Sequence, residues 1–424
     1  MLEPVIQVFK ITELRNKILF VLGIFAVFRI MANIPIAGIN AESLKIFFNQ
    51  FQVFGILNMF TGGALDNFSI VMLGLGPYIT ATIILQLLTM IFPQLEQIYK
   101  EEGEAGRQKF NQYGRILTVP LALLQGYSLI VLLQRQNVVG AMSFETLFAS
   151  LITVTAGAVF LMWLGELISE RGIGNGVSLL IFAGIIADFP NNIRQIALTY
   201  DTARLPAYIA FFAMSFLIIA GVVLVSEARR NIPVSYAKRI RGSKVYGGVS
   251  TYLPLNINPA GVIPIIFAIS ILLFPGMIAS FFAASPGIIG IISQSVAGFF
   301  QNPWVNGIFF FFLVVLFTYF YTAVTFDPKK ISSDLQKMGG FVPGIRPGDS
   351  TANFLNYILN RVLLVGALFL GTVAVLPSII GGMTGILAFK FLVGGTSLLI
   401  IVSVALETIK QIKAQLQMRE YETF

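Results

Sequence analysis

The sequence carries few side chains that could perform acid–base, nucleophilic or metal chemistry. It contains no histidine and no cysteine, which excludes disulfides, thiol nucleophiles, histidine bases and His or Cys metal sites. It also lacks a phosphate-binding P-loop pattern and a paired-carboxylate motif. We therefore expect no enzymatic activity, no cofactor and no metal.

The ionisable residues of the long apolar runs are predicted near the ends of those runs, where long side chains can reach the membrane surface. They are Arg29, Glu166, Asp188, Arg361 and Lys390. A carrier coupled to protons or sodium ions normally needs a carboxylate deep in a span. The pattern argues against an inverted-repeat secondary transporter of a small solute, which is kept as the alternative function.

Bulky aliphatic residues recur beside small or helix-weakening residues in four of these runs. They are Leu75 and Ile79 around Pro77, Val177 and Ile181 after GIGNG, Ile266 after Pro264, and Ile400 after GGTSLL. Periodicity alone favours ordinary lipid-facing or packing residues. The alternative is a hydrophobic constriction that gates a pore by excluding water. No predicted strand precedes GIGNG, so that run indicates a tight helix–helix turn rather than a dinucleotide site.

Membrane helices must position these residues. The 424 residues are 56% hydrophobic and 11% charged, with a mean hydropathy of +0.83, whereas soluble domains carry about 25% charged residues. An amphipathic surface helix is predicted at residues 3–17. Ten spans are predicted after it, at about 18–35, 68–92, 116–134, 146–168, from within the GIGNG run to Pro190, 205–226, 258–282, 304–326, 357–376 and 385–406. The predicted fold class is an all-α integral membrane protein.

Ten spans divide into five plus five, so residues 1–190 and 191–424 are predicted to form two inverted halves. Spans 2 and 7 are both disturbed by Gly and Pro and come second in their halves. Paired interrupted spans at equivalent places point to a conduit between the halves. A short apolar segment at about 54–67, too short to cross a membrane alone, precedes span 2.

The positive charge is distributed unevenly between the predicted loops. One side holds 21 Lys and Arg residues and the other holds 5, of a total of 28. This bias predicts that both termini face the cytoplasm. The two large basic loops, about 227–257 and 327–356, are explained either by anionic lipid and topology or by docking of an RNA-rich or acidic partner.

Nine runs, in order along nearly the whole chain, resemble the SecY family, the central subunits of protein-conducting channels. They are FTGGALDNFS, LGLGPYITATIILQLL, EEGEAGRQKFNQY, WLGELISERGIGNGVSLLIFAGI, RRNIPVSYAKRIRG, YGGVSTYLPLNINPAGVIPIIFA, YFYTAVTFDPKKIS, GGFVPGIRPG and GGTSLLIIVSVALE. The resemblance implies an hourglass pore in the cytoplasmic (inner) membrane. Unfolded secretory polypeptides would pass through this pore, and membrane segments would leave it sideways into lipid.

The resemblance also implies roles for particular residues of this sequence. The pore ring would be Leu75, Ile79, Val177, Ile181, Ile266 and Ile400, the plug Ile56, Leu57, Phe60 and Leu65, and the lateral gate Thr80, Gln86 and Asn258. Arg239, Arg241, Lys244 and Arg346 would contact the SecA motor ATPase or the ribosome. Further implied partners are SecE-like and SecG-like small subunits, signal sequences and anionic lipids. Two departures are Leu75-Gly76, where the family often has Ile-Met, and Pro259, where Met is common.

Overall fold

The chain folds mainly into helices. The computed structural model describes residues 10–36, 58, 61–100, 103–135, 138–140, 142–198, 202, 205–236, 239–241, 244–246, 250–282, 287–384 and 395–422. The helices are α1 Thr12–Ala32, α2 Gly76–Ile91, α3 Pro93–Lys100, α4 Gly103–Arg135, α5 Phe144–Glu170, α6 Gly176–Leu198, α7 Leu205–Glu227, α8 Ile263–Phe282, α9 Ile288–Gln301, α10 Pro303–Thr325, α11 Pro328–Lys337, α12 Asp349–Thr384 and α13 Gly395–Glu422. The strands are β1 Arg229–Tyr236, β2 Arg239–Arg241, β3 Lys244–Tyr246, β4 Ser250–Asn256 and β5 Gly340–Phe341.

Ten of these helices follow the order of the ten predicted spans: α1, α2, α4, α5, α6, α7, α8, α10, α12 and α13. Within the described residues, α4, α5, α7, α10 and α12 are long and apolar enough to cross a membrane alone. A sixth span is added if α2 and α3, bent by 116° at Phe92, are counted together. The apolar parts of α6 and α8 are shorter.

The second span is only partly helical, which corrects the predicted helix at 68–92. Residues 62–75 form a series of turns, and regular helix begins at Gly76. Gly74 has a φ of 56°, a left-handed conformation that glycine adopts without steric cost. Pro77 lies in the first helical turn, where its missing N–H costs nothing. The two residues therefore end the irregular stretch and start the helix.

The seventh and fifth spans also differ from their predicted bounds. Helix α8 begins at Ile263 rather than at 258, because Gly261 has a left-handed φ of 62° that interrupts helical geometry. Helix α6 runs through Pro190 to Leu198, so the predicted stop at Pro190 is wrong. A proline removes one helical hydrogen bond, and neighbouring helices allow membrane helices to continue past that loss.

Several stretches predicted as loops are helical. The polar segment after span 2 forms α3 and the first turns of α4, and the segment at 281–303 contains α9. Residues 12–17 continue into α1, so this part is not a separate surface helix, and residues 3–9 lie outside the described residues. Helix α12 exceeds predicted span 9 at both ends. The predicted start of span 10 at 385 also lies outside the described residues. Hydropathy finds apolar stretches, whereas helices continue into polar sequence wherever no Gly or Pro stops them.

The two predicted halves meet through a few helix pairs. Helix α8 packs against α2 and α4, and α13 packs against α6. The beginning of α1 lies against the end of α13, where Leu14 and Leu416 are buried together with Ile412 nearby. The start of the first span and the end of the last therefore lie on the same side of the bundle.

The two large basic loops fold together, which adds a small sheet to the helical architecture. Strand β1 pairs with β4 on one side and with β5 on the other. Ile232, Leu255, Val342 and Leu355 form a separate apolar core beneath this sheet. Strands β2 and β3 form a second, two-stranded hairpin. The loop that carries Arg346 is thus anchored to the first basic loop.

Candidate functional site: an apolar constriction between helix starts

Leu75 and Ile79 lie where the irregular stretch becomes helix α2. Leu75 is the N-cap residue, its carbonyl accepts a hydrogen bond of 3.0 Å from the Ile79 N–H, and both side chains are 7% exposed. A Cβ on Gly74 would approach Thr61 Cγ2 to 2.9 Å. Close packing of buried, non-helical backbone therefore sets the height of this pair in the bundle.

Val177 and Ile181 follow a tight turn at the start of α6. Asn175 Oδ1 caps the helix by accepting from the Ser178 N–H at 3.1 Å. Gly176 lies so close to α5 that an added Cβ would be 1.8 Å from the Gly165 carbonyl oxygen. The predicted tight turn is confirmed, and this contact explains why a glycine is needed at its end.

Ile266 and Ile400, in the C-terminal part of the chain, also lie close to helix starts. Ile266 follows the 259–262 turns, and its N–H donates to the Val262 carbonyl at 3.3 Å. Ile400 lies in the second turn of α13 and has no exposed surface. Each of the six predicted ring residues is therefore found within two turns of a helix start.

All six residues lie in the main apolar core of the structure. Leu75, Ile79, Ile181, Ile266 and Ile400 belong to one contiguous apolar cluster, and the half-buried Val177 packs against it. Their side chains are wholly aliphatic, so they offer neither hydrogen bonds nor charge to water. Chemically, this arrangement can close a passage by excluding water, and it has no group that binds a specific ligand.

The predicted plug lies largely outside the described residues. This applies to Ile56, Leu57 and Phe60. Leu65 is fully buried, but it belongs to a second apolar cluster with Leu129 of α4 and Ala158 of α5. The end of the segment is thus anchored between α4 and α5 rather than at the ring.

Arg29 and Asp188 contact the glycines of this segment, which the sequence did not indicate. Arg29 Nη1 donates to the Gly62 carbonyl oxygen at 2.5 Å. A Cβ on Gly63 would lie 2.9 Å from Asp188 Oδ1. The sequence shows only that Arg29 and Asp188 are oppositely charged and lie near the ends of spans. That both approach Gly62-Gly63 depends on the fold.

The three predicted gate residues do not form one hydrogen-bonded group among the described contacts. Thr80 Oγ1 donates to the Gly76 carbonyl at 2.9 Å and accepts from Gln125 Nε2 at 3.4 Å. Gln86 and Asn258 are both buried, and the carbonyl oxygen of each amide lacks a partner within the described part of the chain. Thr80 and Gln86 lie in α2, and Asn258 lies five residues before the start of α8. Helices α2 and α8 pack together.

The basic residues lie on two connected pieces of the sheet region. The β2–β3 register places Arg241 opposite Lys244 and Arg239 opposite Tyr246. Arg346 is exposed on the turn after β5, and its carbonyl accepts from Thr351 Oγ1 at 2.9 Å. The backbone of that turn is fixed while the guanidinium faces solvent.

The sequence of this helical bundle matches a known protein family. The SecY family model matches residues 69–409, well over half of the chain. The chain belongs to the SecY family. It is 43% identical to the protein translocase subunit SecY of Streptomyces scabiei over 441 aligned residues, covering 100% of both chains. It is 44% identical to that of Thermus thermophilus over 440 residues, covering 100% of this chain and 98% of the relative.

Solved structures share the fold at lower identity. A structure described as a protein conducting channel has a TM-score of 0.61 at 19% identity and covers 93% of this chain and 91% of its own. Sec61 in the canine ribosome-channel complex has a TM-score of 0.59 at 20% identity, with the same coverage. The predicted SecY-like helical membrane fold is therefore confirmed, and the family is a non-enzymatic one, as expected.

Proposed function

We propose that this chain is the pore-forming subunit of a protein-conducting channel in the cytoplasmic membrane. It passes unfolded secretory polypeptides across the membrane and releases membrane segments sideways into lipid. The observation that supports it most is that six aliphatic residues from the starts of four helices all belong to, or pack against, one apolar core. The full-length translocase relatives support the same function.

An aliphatic ring suits a cargo whose side chains change at every residue. Such a ring forms no strong bond with any one side chain, so the chain does not stick, and it can close around varied shapes. When empty, the constriction excludes water and ions. The chain itself supplies no energy source, so a partner must drive transport.

The interface between α2 and the start of α8 is the proposed lateral gate, with Thr80, Gln86 and Asn258 as its polar positions. Support comes from the packing of the two helices and from the two buried amides, whose oxygens have no partner among the described residues. A buried unsatisfied polar group costs about 1–3 kcal/mol. An interface that carries two such groups is therefore easier to open towards a signal sequence that can bind them.

The segment at 54–67 is the proposed plug that closes the outer funnel below the ring, with Ile56, Leu57, Phe60 and Leu65 as its apolar members. Arg29 holds the glycine pair of this segment against α1. Displacement of the plug requires that bond to break and Leu65 to leave its buried site between α4 and α5.

Arg239, Arg241, Lys244 and Arg346 are the proposed contacts for the ribosome and for the SecA motor ATPase. Like charges placed opposite each other destabilise a hairpin, so Arg241 opposite Lys244 suggests an anionic partner at that tip. Some similar solved channels are ribosome-bound complexes. SecE-like and SecG-like subunits are proposed to pack against the bundle, and anionic lipids against its basic rim.

Both termini are proposed to face the cytoplasm, with residues 1–190 and 191–424 as inverted halves. The positive-charge bias favours this orientation. The contact between Leu14 and Leu416 supports a common side for the two ends. The basic sheet region then lies on the cytoplasmic side as well.

The proposed function is tested by export in cells whose own channel subunit is depleted. Expression of this chain should restore the conversion of secretory precursors to their exported forms, and vesicles from those cells should protect a precursor from protease. A small-solute transporter is the alternative, and the relatives do not favour it. Solute accumulation without precursor protection would support that alternative.

A further inference from the structure

Two glutamines in the second half of α13 form hydrogen bonds with the backbone of the turn between α5 and α6. The Gly174 N–H donates to Gln411 Oε1. Gln415 Nε2 donates to the Gly172 carbonyl oxygen. The turn and the glutamines are more than two hundred residues apart and belong to different proposed halves. The second half of α13 thus supplies both an acceptor and a donor to one short turn.

The turn can transmit its position because it is rigid. Gly172 and Gly174 have left-handed φ angles of 77° and 74°. Ser169 Oγ accepts from the Gly176 N–H at 2.9 Å. The close approach of Gly176 to Gly165 leaves no space for sliding between α5 and α6. A force on the turn therefore moves the start of α6 with it.

The same elements carry half of the pore ring. Helix α6 begins directly after the turn and presents Val177 and Ile181 to the main apolar cluster. Helix α13 carries Ile400, and Gln411 follows it by about three helical turns, which returns it to the same face. Val404 and Thr408 occupy that face between them, and Val404 is 2% exposed. The two glutamine hydrogen bonds therefore link α13, which carries Ile400, to the turn that leads into α6, which carries Val177 and Ile181.

We propose that Gln411 and Gln415 are positioning residues for the pore ring, acting as an amide clamp between the proposed halves that favours the closed channel. The inference rests on the proposed function. The clamp holds α6 and α13 at one relative height, so Val177 and Ile181 remain opposed to Ile400. When either bond is lost, α13 can shift along α6, and the ring closes less completely.

The test uses the same isosteric change at both positions, because the two bonds have opposite polarity. Gln411→Glu keeps an oxygen that accepts from the Gly174 N–H, whereas Gln415→Glu replaces the donor with a carboxylate facing a carbonyl. Gln415→Met removes the donor without adding charge. Gln417→Glu, on an exposed part of the same helix, is the matched control. Ile400→Asn reports whether the ring itself gates the channel.

The full-length chain is expressed with its natural partners, and two quantities are measured. One is the export of a reporter with a defective signal sequence, and the other is ion conductance across membranes with no cargo present. We expect both to rise in Gln415→Glu and Gln415→Met and to remain at the parent level in Gln411→Glu and Gln417→Glu. A rise of about tenfold corresponds to the loss of one hydrogen bond of ordinary net strength.

The outcomes separate this inference from the proposed function. If Ile400→Asn leaks while both Gln415 variants resemble the parent, the clamp is overturned and the channel function stands. If Ile400→Asn also resembles the parent, the ring and the clamp are both overturned. If Gln411→Glu is as leaky as Gln415→Glu, donor and acceptor polarity does not matter and the clamp is wrong. If the Gln415 variants are absent from the membrane, Gln415 is needed for folding rather than for positioning the ring, and the clamp is also overturned.

Discussion

Arg29 in the first helix donates a hydrogen bond of 2.5 Å to the carbonyl oxygen of Gly62, 33 residues further along the chain. The contact holds the glycine pair of the proposed plug against α1. A guanidinium at a span end would ordinarily extend to the membrane surface. Here it is directed to backbone, so its loss leaves a buried carbonyl without that donor.

Replacing Arg29 with Met should therefore loosen the segment that contains Leu65. The chain has no native cysteine, so a single Leu65→Cys variant reports on this segment alone. We expect slow reaction of that thiol with an external maleimide at rest and faster reaction once cargo is engaged. Adding Arg29→Met should raise the resting rate several-fold. Arg361→Met is the matched control, because Arg361 is exposed above the Tyr357 ring. If Arg29→Met leaves the rate of thiol reaction unchanged, Arg29 does not hold the plug in place.

Polar substitution in the ring should make the resting channel leak. Ile400→Asn and Ile79→Asn place an amide where both native side chains are buried in the apolar cluster, so water can enter a constriction that was dry. Ion conductance and export with weak signal sequences should both increase. Leu364→Asn, at an exposed site on α12, should change neither. Equal effects of all three substitutions would mean that the ring residues only pack or face lipid.

Arg346 should be required for motor-driven export but not for folding. Its turn is fixed by a 2.7 Å bond from Ser332 Oγ to the Gly348 carbonyl, and Gly344 and Gly348 both have left-handed φ angles. A guanidinium in a fixed place can bind carboxylate or phosphate through two hydrogen bonds, which Lys cannot do. Arg346→Glu should block SecA-dependent export, and Arg346→Lys should reduce it.

The measurement is precursor protection in vesicles with added motor ATPase. Lys337→Glu is the control, because it reverses a charge on neighbouring α11 at a side chain that is 75% exposed. Chain levels in the membrane should be unaffected in every variant. If Arg346→Lys exports fully, a positive charge suffices at this position and the guanidinium is not needed. Arg346 would then be assigned to lipid binding or to membrane topology.

Gly157 should not tolerate a methyl group. It lies in α5 where the irregular stretch before α2 passes, and an added Cβ would be 2.0 Å from the Ile70 carbonyl oxygen. Backbone must shift to relieve such an overlap, so Gly157→Ala should lower the free energy of unfolding by about 1–3 kcal/mol or more. Gly23→Ala is also inside a helix, but a Cβ there would meet no other described part of the chain within 4 Å, so it should be neutral or stabilising. The two variants are compared by thermal unfolding in detergent, monitored as the loss of monodisperse protein. Similar unfolding midpoints would contradict the close packing of Gly157 against the Ile70 backbone.

The broad architecture was available from the sequence alone because the membrane imposes simple rules on it. A span needs about 20 apolar residues, and charges collect at the ends. These rules predicted ten spans and two basic loops, and ten helices of the described chain follow the predicted order. They also identified the glycine and proline positions, such as Gly74 and Pro77, at which spans 2 and 7 are interrupted. Six ring residues could be named because the resemblance is carried by local motifs.

Tertiary structure decided what depends on contacts between distant residues. Hydropathy does not show that residues 62–75 are buried turns, because their polar backbone is accommodated only by close packing against glycines such as Gly157. The pairing of Arg29 with Gly62, of Gln411 and Gln415 with the α5–α6 turn, and of the two basic loops in one sheet joins segments that share no sequence pattern. A periodic pattern describes which face of one element is apolar. The partner of a single polar group depends on which atoms the completed fold places within 3 Å of it.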